Sequence, residues 1–152
     1  MGQRDRIDLH LQEYESIYRD FVENNANLHD SRAAIAKLGE GYALVYLKST
    51  GMREVFRNWR CRVGEVDLIL ADKNELVFVE VKSRIANLVA SKCIFENIHD
   101  KKKKKLRALV QVYLLIFYKK KPRPPVRIDV VGVLLRQVDL RVEKVMHIKG
   151  AV

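Results

Sequence analysis

Three charged residues, Asp67, Glu80 and Lys82, stand at positions that bring them together if the chain forms a β-hairpin here. Residues 64–70 and 76–82 are rich in valine, leucine and isoleucine, and a short polar segment joins them. Two such runs with a short polar connection are typical of two antiparallel strands and a tight turn. The pattern therefore predicts a hairpin that carries two carboxylates and an ammonium group.

The register of this hairpin decides which residues face each other. With a two-residue turn at 73–74, residues whose numbers sum to 147 lie opposite one another, so that Asp67 faces Glu80 and Glu65 faces Lys82. Side chains alternate between the two faces of a strand, and all four charged groups are expected on one face. The opposite face is expected to be wholly apolar and to consist of Val66, Leu68, Leu70, Val77, Val79 and Val81.

This arrangement predicts a site for a divalent cation. Opposed side chains on neighbouring strands have Cβ atoms roughly 5 Å apart, so Asp67 and Glu80 would repel each other unless a cation lay between them. Mg²⁺ keeps several waters and needs only one or two carboxylate ligands. Lys82 would point the same way, where its ammonium group can hold a water or offset charge on a phosphate. The alternative interpretation is a solvated hairpin with a Glu65–Lys82 ion pair, which would contribute little.

A fourth acidic residue lies in a segment with helical periodicity. Glu40 stands between Gly39 and Gly41 and shares a helix face with Ala36 and Ala43. Each glycine costs a helix about 1 kcal/mol relative to alanine, which indicates a local need for close backbone approach. Glu40 is therefore either a further metal or water ligand, or an exposed glutamate on the flank of a helix.

Basic residues near this hairpin are candidates for phosphate contacts. A run of lysines is usually a solvated face, but lysines at the start of a helix oppose the helix dipole, so phosphate contact is here an equal alternative. Arg84 ends the strand that carries Lys82, and Arg60 lies on the strand before the hairpin. The expected nucleic-acid-binding residues are Lys101, Lys102, Lys103, Lys104, Lys105, Arg84 and Arg60.

The remaining polar residues give weaker signals. Arg127 and Asp129 lie two residues apart on a predicted strand, and an ion pair within the sheet is the preferred interpretation. The four histidines are scattered along the chain, and none is assigned to catalysis.

Helical and strand periodicities indicate which elements position these groups. In chain order the expected elements are a helix over about 7–23, a helix over 31–49 capped by Ser31, strands over 55–63, 64–70 and 76–84, a helix over 102–118, and strands over 126–135 and 140–148, the last at an edge. Residues 85–100 are expected to form a loop. The class is α/β or α+β, with a mixed sheet covered by helices.

Composition limits the classes of function. The 152 residues suffice for one hydrophobic core, and the net charge of +10 favours polyanionic partners such as nucleic acid. The two cysteines, Cys61 and Cys93, suggest neither a disulfide framework nor a zinc site. No stretch is apolar enough to cross a bilayer and the first residues do not resemble a secretory signal, so we expect a cytoplasmic protein without membrane contact.

Several strings resemble one known family. The string GEVDLIL followed by LVFVEVKSR, together with the GEGYALVYL helix and the RNWR strand, is similar to the bacterial YraN-type family of endonuclease-like proteins. The similarity covers about residues 35–150, so we expect an N-terminal helical extension over 1–30 and an endonuclease-like domain over 31–152. Relatives usually carry a Phe-Gly turn after the EVKxR strand, but residues 87–92 contain no glycine, and the substrate-side loop is expected to differ.

The resemblance implies a fold and an activity. The family is similar to archaeal Holliday-junction resolvases and restriction endonucleases, the PD-(D/E)XK superfamily, whose core is an α/β unit of order αβββαβ with a mixed central sheet. In that superfamily a helix Glu, a strand Asp and an ExK strand form the metal site, and these roles fall on Glu40, Asp67, Glu80 and Lys82. Lys102 corresponds to a lysine that relatives carry near the start of the third helix.

The sequence therefore predicts a nuclease dependent on Mg²⁺ or Mn²⁺ that hydrolyses phosphodiester bonds, in DNA rather than RNA and in branched DNA by analogy with the superfamily. Glu40, Asp67 and Glu80 would bind the metal, and Lys82 would orient the attacking water. Two alternatives are a non-catalytic nucleic-acid-binding module with the same fold, and a protein-interaction domain whose N-terminal helix docks a partner. A homodimer is a further open expectation.

Overall fold

A computed structural model describes residues 10–24, 32–96 and 98–152. Its helices are α1 (Leu11–Asn24), α2 (Arg32–Ser49), α3 (Leu88–Cys93) and α4 (Asp100–Phe117), and its strands are β1 (Arg53–Cys61), β2 (Gly64–Asp72), β3 (Glu75–Ile85), β4 (Val126–Leu135) and β5 (Val142–Ile148). Every predicted strand and long helix is present at nearly the expected place. Residues 1–9 and the predicted cap Ser31 lie outside the described residues.

The five strands form one mixed sheet in the order β1-β2-β3-β4-β5. β3 and β4 run parallel, and each of the other neighbouring pairs is antiparallel. Two parallel neighbours require a crossover connection, and α4 lies in the connection between β3 and β4. The predicted class, an α/β mixed sheet flanked by helices, is therefore confirmed, and it is compatible with the restriction-endonuclease-like fold.

Helices cover both faces of the sheet. One hydrophobic cluster joins α1 and α2 to the face that carries Leu68, Leu70, Val77 and Val79. A second cluster joins α4 to the face that carries Ile69 and Phe78, with Tyr113 of α4 packed edge-on against Phe78. The hairpin β2–β3 thus lies within the sheet, between two packed layers.

The hairpin has the predicted register over most of its length. Asp72 pairs with Glu75 and Leu68 pairs with Val79, which gives the expected sum of 147 and a turn at 73–74. Pairing ends at Leu68–Val79, however, so Asp67 and Glu80 do not occupy facing positions in the ladder.

The expected alternation of β2 is wrong at its first residues. Val66 packs in the cluster on the α4 side, with Trp59 and Ile69, rather than on the α2 side with Leu68. Because Val66 and Leu68 lie on different faces, β2 changes its facing near Asp67. The physical reason is visible on β1, where Asn58 has a left-handed backbone, φ 48°, between the paired residues on either side of it.

Helix α1 packs on its own chain. The ring of Tyr14 lies 5.6 Å from that of Tyr42 of α2, and Arg141 donates two hydrogen bonds to the carboxylate of Glu15, at 2.9 and 3.2 Å. The guanidinium group of Arg141 also lies 4.5 Å from the centre of the Tyr18 ring. The described part of the N-terminal extension therefore covers α2.

The region expected to be a loop, 85–100, contains the short helix α3. Asn87 caps it, because its side-chain oxygen accepts a hydrogen bond of 2.7 Å from the amide of Ala90. Six residues are too few to give a periodic pattern, and the first two of them, Leu88 and Val89, are exposed. The sequence signal was the asparagine cap.

Candidate metal and nucleic-acid site

Asp67 is the most strongly perturbed carboxyl group near the end of the hairpin. Its Oδ2 accepts a hydrogen bond of 2.8 Å from the amide of Val81, so the side chain crosses the gap where β2 separates from β3. Burial raises the pKa of Asp67 to about 7, and the charges of Glu80 and Glu40 add to the rise, while the Val81 hydrogen bond opposes it.

Glu80 is buried, with 5% of its surface exposed, and two lysines share one of its oxygens. The Nζ atom of Lys82 lies 3.2 Å from Glu80 Oε1, and that of Lys102 lies 2.8 Å from the same atom. Lys102 comes from the first turn of α4, so the helix dipole and the lysine place positive charge over the strand. The predicted lysine run thus contributes one member directly to the acidic group.

Glu40 reaches the same region from α2, and a close contact of that helix with β3 lies beside it. A Cβ atom added to Gly39 would lie 1.6 Å from Oγ of Ser83, so the contact needs glycine. Burial raises the pKa of Glu40, a hydrogen bond with the Asn58 side chain opposes the rise, and the charges of Glu65 and Glu80 add to it. The expected close backbone approach is confirmed at Gly39.

Asn58 is a residue of this region that sequence reasoning missed. It lies on β1 between the pairs Arg57–Leu68 and Trp59–Val66, which sets it opposite Asp67. Its left-handed backbone is one that asparagine tolerates better than most residues, and its side chain bonds Glu40. Asparagine is depleted in strands, so an Asn within RNWR was the available signal.

These groups form an acidic cluster with cations at its edge. Glu40, Asp67 and Glu80 act on one another electrostatically, as the raised pKa values of the first two record. Among the described residues no three His, Cys, Asp or Glu side chains are close enough to form a ready metal cluster. A Mg²⁺ ion requires only one or two carboxylates and hard oxygen donors, so the residue types fit this metal.

The other predicted phosphate contacts surround the hairpin. Lys101, Lys104 and Lys105 are exposed on α4, and the end of the Lys105 side chain lies against the backbone of Gly64. Arg84 is exposed and donates a hydrogen bond of 2.8 Å to the carbonyl of Ser83. A groove of about 460 Å³ runs beside Lys82 and Arg84, between β3 and the start of α2.

Arg60 forms an ion pair that bears on the alternative interpretation of the hairpin. Its Nε atom lies 2.9 Å from Glu65 Oε2, with both side chains largely exposed, while Lys82 contacts Glu80. The Glu65–Lys82 ion pair proposed as the alternative interpretation of the hairpin is therefore not formed.

A second polar group lies on the face of the sheet that packs on α2. Asp129 is fully buried and accepts hydrogen bonds from Arg127, from the amide of Gly150 and at 2.8 Å from His147 Nε2. Burial alone would raise the pKa of Asp129, but these hydrogen bonds hold it below its ordinary value. The predicted Arg127–Asp129 pair is confirmed, and its satisfied partners indicate a structural role.

A cleft of about 370 Å³ opens between α1, α2 and β1, with Glu40 and Asn58 on its wall. Glu40 thus faces this cleft, whereas Lys82 faces the groove between β3 and the start of α2. No helix in the described ranges is long and apolar enough to cross a membrane.

Comparisons with known proteins agree with the resemblance of the hairpin strings. The family model described as "Uncharacterised protein family UPF0102" matches residues 39–133, which include all four predicted site residues. A UPF0102 protein of Mycolicibacterium vanbaalenii is 42% identical over 123 residues, 80% of this chain and 95% of the relative. Relatives from Caldanaerobacter subterraneus subsp. tengcongensis and Legionella pneumophila are each 35% identical, over 80% and 76% of this chain and 96% and 91% of their own lengths. Because the family model matches the central strands and these relatives match most of the chain, the chain belongs to the protein family UPF0102.

Proposed function

We propose that this chain is a metal-dependent nuclease that hydrolyses phosphodiester bonds in DNA. The observation that carries the proposal is that Glu80 and Glu40 raise the pKa of the partly buried Asp67 through their charges, while the Lys82 ammonium lies 3.2 Å from Glu80. Buried like charges are costly unless they serve a purpose, and perturbed carboxyl groups in a cleft are typical of functional sites.

The residues divide the chemistry among them. Asp67 and Glu80 would offer oxygen ligands to Mg²⁺ or Mn²⁺, and Glu40, which shares a hydrogen bond with Asn58, would complete the donor set. When bound, the metal supplies Lewis-acid stabilisation of the phosphoryl oxygens. Lys82 leaves Glu80 to hold the attacking water, and Lys102 remains to offset negative charge at the phosphate.

Cleavage assays test the proposal. With Mg²⁺ or Mn²⁺, the purified chain should cut labelled branched, single-stranded or duplex DNA, and Asp67→Ala and Lys82→Ala should each lower the rate by about 100-fold or more. Glu143→Ala and Lys144→Ala remove the same charges from exposed positions of β5 and serve as matched controls that should retain the rate. Circular dichroism checks that every variant folds. Cutting that survives both Asp67→Ala and Lys82→Ala contradicts the mechanism.

One observation favours a second candidate, a nucleic-acid-binding module without turnover. Lys102 and Lys82 both lie at Glu80 Oε1, so this carboxylate already has cationic partners. Salt-sensitive DNA binding without cutting, in both Mg²⁺ and Mn²⁺ and for all three kinds of substrate, would support the binding module in place of the nuclease.

A further inference from the structure

Helix α3 presents two adjacent apolar side chains to solvent. Leu88 is 85% exposed and Val89 is 70% exposed, and neither side chain belongs to the described hydrophobic core. Single exposed apolar residues are common on protein surfaces, but a pair at the tip of one short helix forms a compact projection. We refer to Leu88 and Val89 as the apolar tip.

The apolar tip stands on an anchored base. Asn87 caps the helix through its hydrogen bond with Ala90, and Ile94, directly after the helix, is 3% exposed. The ring of Phe95 lies over Gly132, where an added Cβ atom would lie 3.0 Å from Phe95 Cζ. Just before the cap, the amide of Ala86 donates a hydrogen bond of 2.8 Å to the carbonyl of Leu135 on β4, so the chain is fixed to the sheet on both sides of the helix.

This anchor lies beside the proposed active site. Gly132 of β4 is the register partner of Lys82 on β3, and partners in neighbouring strands face the same side of the sheet. Ile94 and Phe95 thus pack on the face to which Lys82 and Glu80 belong, one strand away. The apolar tip projects from a segment that packs one strand away from Lys82.

The segment of chain that contains the apolar tip is strongly cationic. Residues 84–105 include seven lysines and arginines but only two acidic residues. Arg84 is exposed shortly before α3, Lys92 is exposed in its last turn, and Lys101 is exposed at the start of α4. Duplex DNA has an anionic backbone on its surface and flat, apolar bases stacked in its interior. An apolar projection in a cationic segment is complementary to such a partner.

We propose that the apolar tip is a wedge that inserts into the base stack of the DNA next to the phosphodiester held at the acidic cluster. The cations around α3 hold the phosphates on each side, and Leu88 or Val89 replaces part of the stacking between two bases, which bends or opens the duplex there. This inference rests on the proposed function, because it uses the location of the scissile bond to orient the DNA. It adds a residue pair that separates bases without touching the reacting atoms.

Base stacking is measured directly with 2-aminopurine, whose fluorescence rises when it is unstacked. The full chain is bound in EDTA, so that no cutting occurs, to a set of duplexes and forks that carry the probe at successive positions. The expected result is a several-fold rise in fluorescence at one or two adjacent positions. Leu88→Ala/Val89→Ala should abolish the rise, with at most a modest loss of affinity.

A matched control is available on α4. Leu115 and Ile116 are also adjacent and exposed, at 56% and 57%, but they lie at the far end of that helix. Leu115→Ala/Ile116→Ala should leave the fluorescence rise unchanged. In a second measurement, Leu88→Trp should be quenched by bases on binding, while Leu115→Trp should not be.

The outcomes separate the wedge from the nuclease. DNA binding with no position-specific rise, or a rise that survives loss of the apolar tip, overturns the wedge, whereas the cutting assay with Asp67→Ala decides the nuclease independently. A rise in a chain that cuts no substrate supports base separation and refutes only the nuclease. If the double variant instead loses binding to anionic phospholipid vesicles and keeps the fluorescence rise, the apolar tip serves a membrane surface and the wedge is wrong.

Discussion

At the scale of single residues, Asp67 has an unusual proton equilibrium. Its carboxyl group is largely buried and close to two other carboxylates, and these two facts move its pKa from 3.8 to about 7. In the metal-free protein this group is therefore half protonated near neutral pH. A metal ion that binds Asp67 has to displace that proton, so metal affinity should increase as the pH rises through 7.

The raised pKa predicts a dependence of stability on pH. The unfolded chain releases the Asp67 proton near pH 4 and the folded chain near pH 7, so between these values the folded state binds more protons and stability falls as pH rises. Asp67→Asn has no proton to release at this position and therefore lacks this loss. The free energy of unfolding of Asp67→Asn minus that of the wild type should be about 1–3 kcal/mol larger at pH 8 than at pH 4. Urea unfolding in EDTA at both pH values measures it.

Asp139 supplies a control of opposite sign. Burial raises the pKa of Asp139, but hydrogen bonds from the Arg141 amide and from Arg136 together outweigh it and hold this pKa below its ordinary value. Its contribution to stability is present above about pH 4 and is lost at lower pH, so Asp139→Asn should be costly at neutral pH and nearly neutral in acid. For Asp67 itself, a difference in stability between the wild type and Asp67→Asn that does not change with pH would contradict the raised pKa of Asp67.

Some features of these residues can be predicted from the sequence, and others cannot. The shared face of Glu80 and Lys82 follows from strand spacing, a local property of the chain, whereas the expected pairing of Asp67 with Glu80 is not formed. The bond between Asn58 and Glu40 joins two elements, and the change of facing at Val66 depends on a left-handed residue in the neighbouring strand. Neither is encoded in a short window of sequence, so periodicity alone missed both.

At the scale of elements, the distance between α2 and β3 depends on one contact. Gly39 lies so close to Ser83 that a Cβ atom on Gly39 would meet both Oγ at 1.6 Å and Cβ at 2.6 Å. The Ser83 hydroxyl is buried and has no hydrogen-bond partner among the residues that the structure describes, which is consistent with the tight packing of the two elements. Because Glu40 follows Gly39 directly, this contact also sets the distance of Glu40 from the strands that carry Asp67 and Glu80.

Gly39→Ala should therefore destabilise the protein although alanine favours helices. Overpacking of this kind costs about 1–3 kcal/mol, against a gain of about 1 kcal/mol in helix propensity. Ser83→Gly removes both atoms that the new methyl group meets, so the double variant should recover most of the loss. Urea unfolding of the two single variants and the double variant measures the coupling. A Gly39→Ala protein as stable as the wild type would contradict the close contact.

The elements themselves were predictable where periodicity is strong. Residues of β2, β3 and β4 carry long apolar runs between turn residues, and α2 and α4 repeat apolar residues at helical spacing. Helix α3 is an exception, because six residues give less than two turns and its apolar residues at 88 and 89 point to solvent. A helix that contributes little to the core leaves little trace in the hydrophobic pattern.

At the scale of the whole molecule, the net charge of +10 is concentrated on particular surfaces. One basic cluster, Lys101 to Lys105, lies at the start of α4, where Lys102 reaches Glu80. A second cluster, Lys119 to Lys121, follows the other end of the helix and is exposed. An 18-residue helix is about 27 Å long, so the two clusters are separated by much more than a screening length at physiological salt.

The two clusters are expected to differ in their effect on DNA binding. If the DNA backbone passes over the acidic cluster, Lys101, Lys104 and Lys105 contact phosphates, and their replacement by alanine should reduce the slope of log affinity against log salt by about 2–3. The same number of charges is removed by the matched triple variant Lys119→Ala/Lys120→Ala/Lys121→Ala, so a purely nonspecific attraction would respond equally to both. A larger loss of slope from the first triple variant would locate the phosphate path at the start of α4. Equal losses, or a larger loss from the second triple variant, would contradict that path and the orientation of the substrate that it requires.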